Sequence, residues 1–186
     1  RWLTCTASVA MEETVPRQPE ADYAREGTLA HELAELTASL ELGLTPAGEL
    51  DAKFAAWEKE AREFFGGSAE TELEAMRDFV GWYVDFLDEA RGEDGVVFLE
   101  QRLPAGVDGC WGTSDAVIVT PDTVHIVDFK YGQGVEVSPV ANPQLMLYAL
   151  GALDRYRDLI DTTTKVKMSI HQPRINNVGS WEVTPE

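Results

Sequence analysis

The chain has 186 residues, 44% hydrophobic and 26% charged, enough apolar material to bury a core; this excludes collagenous, low-complexity and wholly disordered classes. Its formal charge of −18, from 33 acids against 15 bases, gives no electrostatic support for tight non-specific nucleic-acid binding. Two cysteines, Cys5 and Cys110, exclude a disulfide framework and a four-cysteine metal site, and no apolar run approaches the roughly 18 residues of a membrane helix.

The acids are uneven, with 22 against 8 bases in residues 1–95, mostly at helix-surface spacing where glutamate solvates a face. No basic-then-apolar signal segment opens the chain, and reduced thiols fit a cytoplasmic setting. A start at Arg1 and a strand-like end at Trp181-Glu182-Val183 read as a piece of a longer protein.

After an irregular opening with Pro16 and Pro19, Thr28 is expected to cap a helix from Leu29 to about Leu42, ended by Gly43. Leu29, Leu33, Leu36 and Leu40 form one apolar stripe; Ala30, Ala34 and Ala38 form a small-residue face that admits a second layer. A second helix is expected over about 50–65, broken by Gly66-Gly67, and a third over about 69–91. The period then changes. Residues 96–102, 112–120 and 123–131 read as β-strands joined by Pro104-Ala105-Gly106 and Pro121-Asp122 turns. A polar loop from Gly132 to Pro143, a helix from about Gln144 to Ile160, a strand over 165–172 and a short strand near Trp181 follow. Three strands with tight connections make an antiparallel meander, and a strand–helix–strand step needs a right-handed parallel crossover. The expected fold class is mixed α/β (α+β): a central mixed sheet flanked by helices, in a single domain over 1–186, with a helical insertion at about 48–92 forming a lobe beside it.

Asp128 and Lys130 stand two apart at the end of an apolar strand and so share a face. The Pro121-Asp122 turn makes the strand of Asp115 its neighbour, which brings Asp115 towards Asp128; carboxylates so placed repel, and a divalent cation relieves them. Glu100, on the first strand, is a candidate third carboxylate from its strand position alone. His31 lies with the alanines on its helix, and Gln144 and Tyr148 stand at i and i+4 on theirs. His31-Glu32 lacks the second histidine of a zinc-protease His-Glu-x-x-His, so that chemistry is set aside.

Gly27-Thr28-Leu29-Ala30-His31, Gly112-Thr113-Ser114-Asp115, Asp128-Phe129-Lys130 and Gln144-x-x-x-Tyr148 occur in order. This series resembles the RecB-like branch of the PD-(D/E)XK nuclease superfamily, with its G-x-x-x-H, G-x-x-D, (D/E)-x-K and Q-x-x-x-Y motifs and its restriction-endonuclease-like core. Arg1-Trp2-Leu3-x-Cys5, Tyr131-Gly132-x-Gly134-Val135 and Gln172-Pro173-Arg174 resemble a phage and prophage group within it. The resemblance implies a metal-dependent DNA nuclease, an exonuclease of phage recombination or repair, in the cytoplasm of a bacterial host cell; the alternative is a catalytically silent DNA- or protein-binding adaptor of the same fold. It implies that His31, Asp115, Asp128 and the Phe129 main-chain carbonyl hold Mg²⁺ or Mn²⁺. Lys130 would orient or deprotonate the attacking water and offset transition-state charge, with Gln144 and Tyr148 supporting the site. The four-cysteine iron–sulfur cluster of some relatives cannot be built from Cys5 and Cys110. DNA is the implied partner, with no membrane. The scarcity of cations leaves Arg25, Arg102, Lys130, Lys165, Lys167 and Arg174 as the contributors to a positive track, supplemented by a recombination partner or basic subunit.

Overall fold

The computed structural model describes residues 21–104, 111–161 and 164–184. Cys5, Cys110, the Arg1-Trp2-Leu3 opening and Ala105-Gly106 of the first strand connection lie outside the described residues. Helices α1 (Asp22–Glu41), α2 (Ala47–Phe65) and α3 (Ala69–Arg91) precede strands β1 (Val96–Pro104), β2 (Trp111–Val119) and β3 (Thr123–Phe129). Helix α4 (Pro143–Arg155) then leads to β4 (Lys165–Gln172) and β5 (Asn177–Val183). No helix among the described residues is long and apolar enough to cross a membrane.

The strands form one sheet in the order β1-β2-β3-β4-β5. All neighbours are antiparallel except β3 and β4, which run parallel from Thr123 opposite Lys165 to Phe129 opposite His171. Helix α4 is the crossover that the parallel step requires. Asn142 caps it by accepting the Gln144 amide at 3.0 Å, and Pro143 occupies the first turn where no N–H is needed. Gly151 lets α4 lie against β1: a Cβ there would meet the Pro104 carbonyl and the Leu103 side chain.

The sheet separates two apolar layers. On one side Leu29, Leu73, Met76, Val80 and Leu87 of α1 and α3 cover Val97, Ala116, Ile118 and Phe129. On the other, Leu145, Ala149 and Ala152 of α4 cover Val117, Ile126, Val166 and Met168. Helix α3 therefore belongs to the layer that covers the sheet, its Tyr83 ring 4.7 Å from that of Phe129. Helix α2 joins that cluster through Trp57, whose indole N–H donates to the Leu29 carbonyl at 2.8 Å.

Three expectations are corrected. Helix α1 begins at Asp22, because Thr28 donates its hydroxyl back to the Ala24 carbonyl at 3.1 Å and so sits comfortably inside the helix. Leu40 is 39% exposed, since the buried stripe drifts round to Ala38 by the last turn. Helix α4 stops at Arg155, where Tyr156 turns aside to donate its hydroxyl to Gln101 at 3.0 Å and stack on Phe98.

His125 and His171 are both buried on the α3 side of the sheet. Burial, with Lys167 alongside, pushes His125 down to about 3, and burial pushes His171 down to about 4. His125 Nε2 is 2.7 Å from Ser169 Oγ, a contact in which either atom can be the donor. Between the ordinary value of 6.5 and the folded value the unfolded chain binds more protons, so stability falls as pH drops through that window. Urea unfolding at about pH 4.5 should show roughly 2 kcal/mol less stability from His125 than at about pH 7. His125→Gln should reduce that dependence, leaving the share that His171 supplies; an unchanged pH slope in the variant would contradict the assignment.

Candidate metal centre

The β2–β3 ladder ends at Ala116 opposite Val127. One step further, Asp115 departs from sheet pairing: its Oδ2 accepts the Phe129 main-chain N–H at 2.7 Å. Its Oδ1 lies 3.4 Å from His31 Nδ1 of α1. The His31 ring is fixed in turn by an edge contact with Phe129, centroids 5.3 Å apart. Helix α1 thus docks its motif residue through Phe129, the last residue of β3, which stands between Asp128 and Lys130.

Glu100 reaches the same place by a backbone reversal. Its φ of 49° lies in the left-handed region that non-glycine residues rarely occupy. Main-chain pairing of β1 with β2 runs through Leu99 opposite Ala116 and resumes at Gln101 opposite Ser114, skipping the Glu100–Asp115 level. The side-chain phase changes there: Leu99 packs against the α1/α3 cluster, whereas Gln101 and Leu103 turn to the α4 side. Glu100 therefore joins His31 and Asp115, and ligand atoms of the three lie within 4.8 Å of one another. They line a cleft of about 440 Å³ together with Gly27, Thr28, Glu32 and Glu35. Glu35, one turn beyond His31, was not singled out from sequence, although i+4 spacing from a candidate ligand is the signal that marks it.

Asp128 lies beside this group and outside it. Its carboxylate, 3% exposed as a residue, is 2.8 Å from Lys130 Nζ and receives the Gln144 amide at 3.4 Å. Gln144 also donates to the Tyr148 hydroxyl at 3.0 Å, so α4 contributes both of its motif residues to one chain of contacts. Gly112 is needed here: a Cβ on it would run into the Tyr148 ring. Phe129 contributes its N–H to the site, as the donor to Asp115. The sequence expectation that Asp115, Asp128 and His31 form the ligand trio is thus modified: the closest trio is His31, Glu100 and Asp115, with Asp128 engaged by Lys130.

The electrostatics record the crowding. Desolvation, then the charges of Asp115 and Glu35, raises Glu100 to about 7 even though it keeps an exposed edge at the cleft. Burial raises Asp128, against the pull of Lys130. Burial alone would lower His31, but its hydrogen bond and charge interaction with Asp115 outweigh this and raise it. Lys130 is likewise raised, because Asp128 outweighs its desolvation, and stays an ammonium. Asp128 Oδ2 is buried without a well-aligned hydrogen bond. An imidazole, two converging carboxylates and an under-satisfied third suit a hard divalent cation such as Mg²⁺ or Mn²⁺.

Among the described residues, the cations expected to form a positive track are dispersed, with Arg102 stacked 3.6 Å from the Trp111 ring centre. Lys165 and Lys167 begin β4 opposite Thr123 and His125, whereas the site lies at the far end of β3. Arg25 pairs with Glu60, Lys165 with Glu182 and Arg174 with Glu26.

A family model described as "Protein of unknown function (DUF2800)" matches residues 1–186. The chain belongs to the DUF2800 family. The cleft and its motif residues are therefore features of a DUF2800 chain, and the match extends over all of the elements that carry them.

If the DUF2800 trio is a cation site, Mn²⁺ calorimetry should show binding that Asp115→Ala and Glu100→Gln each weaken by at least about 10-fold, a typical cost of losing one ligand or its support. Equal weakening by Asp128→Asn and none by Glu100→Gln would return the site to the arrangement expected from sequence.

Proposed function

We propose that this DUF2800 chain is a Mg²⁺/Mn²⁺-dependent deoxyribonuclease of the PD-(D/E)XK type, RecB-like branch, an exonuclease of phage recombination or repair working in the cytoplasm of a bacterial host. The reading rests on one observation above others. Motif residues from α1, β2, β3 and α4, distant in sequence, meet at one end of a mixed sheet with Lys130 held 2.8 Å from Asp128.

A divalent cation held by His31, Glu100 and Asp115 would supply Lewis acidity towards a phosphodiester and a water molecule. The residues supply the rest. Lys130, its ammonium favoured by the neighbouring Asp128, is placed to offset negative charge developing on phosphorus oxygens and to orient the attacking water. Asp128 orients that ammonium, and Gln144 donates both to Asp128 and to the Tyr148 hydroxyl. Glu32, Glu35, Glu100 and Asp115 together would repel a phosphate from the bare cleft, which makes charge neutralisation a condition for substrate entry. The net charge of −18 favours a second reading, a silent adaptor that binds protein or relies on a basic subunit to reach DNA.

Incubation with end-labelled linear and circular DNA in Mg²⁺, Mn²⁺ or EDTA separates the two. The nuclease reading expects metal-dependent loss of the linear label with the circle spared. Lys130→Ala should slow cleavage by ~10²-fold or more while Mn²⁺ binding persists. No cleavage of single-stranded, double-stranded or end-bearing DNA would favour the adaptor.

A further inference from the structure

A second cavity, of about 410 Å³, lies on the other side of the first turns of α1. Tyr23 and Glu26 line it, while Ala24 and Gly27 on the same turns line the metal cleft. Its floor is Tyr131, the residue directly after Lys130, with the Arg174 guanidinium stacked 4.5 Å from the ring centre. Arg174 is held by Glu26 at 2.7 Å, and the Gln133 side-chain amide lies against the same guanidinium. The wall is preformed. Buried Gln172 donates to the carbonyls of Gly132 at 2.9 Å and Val135 at 3.1 Å and accepts the Val137 N–H at 3.2 Å.

Two features define what this cavity can take. The Glu26–Arg174 pair balances its charge, so it offers no net attraction for a phosphate. Its recognition surfaces are planar: the Arg174 guanidinium, backed by the buried Tyr131 ring, and Tyr23, 81% exposed on the first helical turn. Flat, polarisable surfaces with hydrogen-bonding groups at the rim suit an unstacked nucleobase.

Resting on the nuclease reading, we propose that this cavity is a base-binding subsite that receives one unpaired nucleobase of a DNA strand whose phosphate lies in the metal cleft. The chain would then act on strands with single-stranded character, because a base held in a duplex stack cannot enter.

The test is strand binding by the full chain with Mg²⁺, using a short phosphorothioate-linked single strand that carries a fluorescent adenine analogue. Tyr23→Ala should weaken binding about 10-fold and abolish the change in analogue fluorescence, whereas Tyr23→Phe should keep both, since stacking needs the ring alone. Wild-type affinity and fluorescence in Tyr23→Ala would overturn the subsite. So would a free mononucleotide that competes as strongly as the strand, which would make the cavity a nucleotide site instead. Cleavage with Tyr23-independent binding sinks the subsite alone; Tyr23-dependent binding without metal-dependent cleavage sinks the nuclease reading and leaves the subsite.

Discussion

One hydrogen bond, from the Phe129 amide to the Asp115 carboxylate, governs the end of the sheet where the motif residues gather. Where β2 and β3 would otherwise continue their main-chain ladder past Ala116 and Val127, a side chain takes the donor. That substitution leaves the backbone N–H satisfied, which a buried strand end requires, and commits one Asp115 oxygen to the fold while the other faces His31. The carboxylate is thereby oriented by the fold itself. Phe129, held at its amide, presents its ring to both His31 and Tyr83, so α1 and α3 register on the same residue that fixes Asp115.

From this anchor the acidic row follows. Glu100, Asp115 and Asp128 occupy one level across three neighbouring strands, and like charges so placed must be separated or neutralised. The protein uses three devices. Asp128 is turned to Lys130 and Gln144; Asp115 is tied to an amide; Glu100 is carried to the α1 side by its backbone. What remains is concentrated in the cleft, where Glu100 is raised to about 7.

Much of the architecture was legible in the sequence because its signals were local. β-Branched runs separated by proline turns specify β1 to β3, and the loop and helix between β3 and β4 require the parallel step. The start of α1 was misread because a threonine hydroxyl serves equally to cap a helix or to bond back within one, and only the preceding residues decide. Of the site, the convergence of His31, Asp115, Asp128, Lys130, Gln144 and Tyr148 was readable from motif order. Their partition was not. Whether Asp128 faces a cation or Lys130 depends on packing of α4, and the choice of Glu100 as a close partner of His31 depends on a dihedral that no glycine or asparagine announces.

That dihedral carries a cost in stability. Glu100 combines a left-handed backbone with a carboxylate crowded by Asp115 and Glu35, two separate costs to the folded state at one position. A glycine there would relieve both at once, and so would be favoured by any selection for robustness alone. A glutamate at the least comfortable point of β1 means that part of the folding free energy is spent on bringing a third ligand-type side chain up to His31 and Asp115.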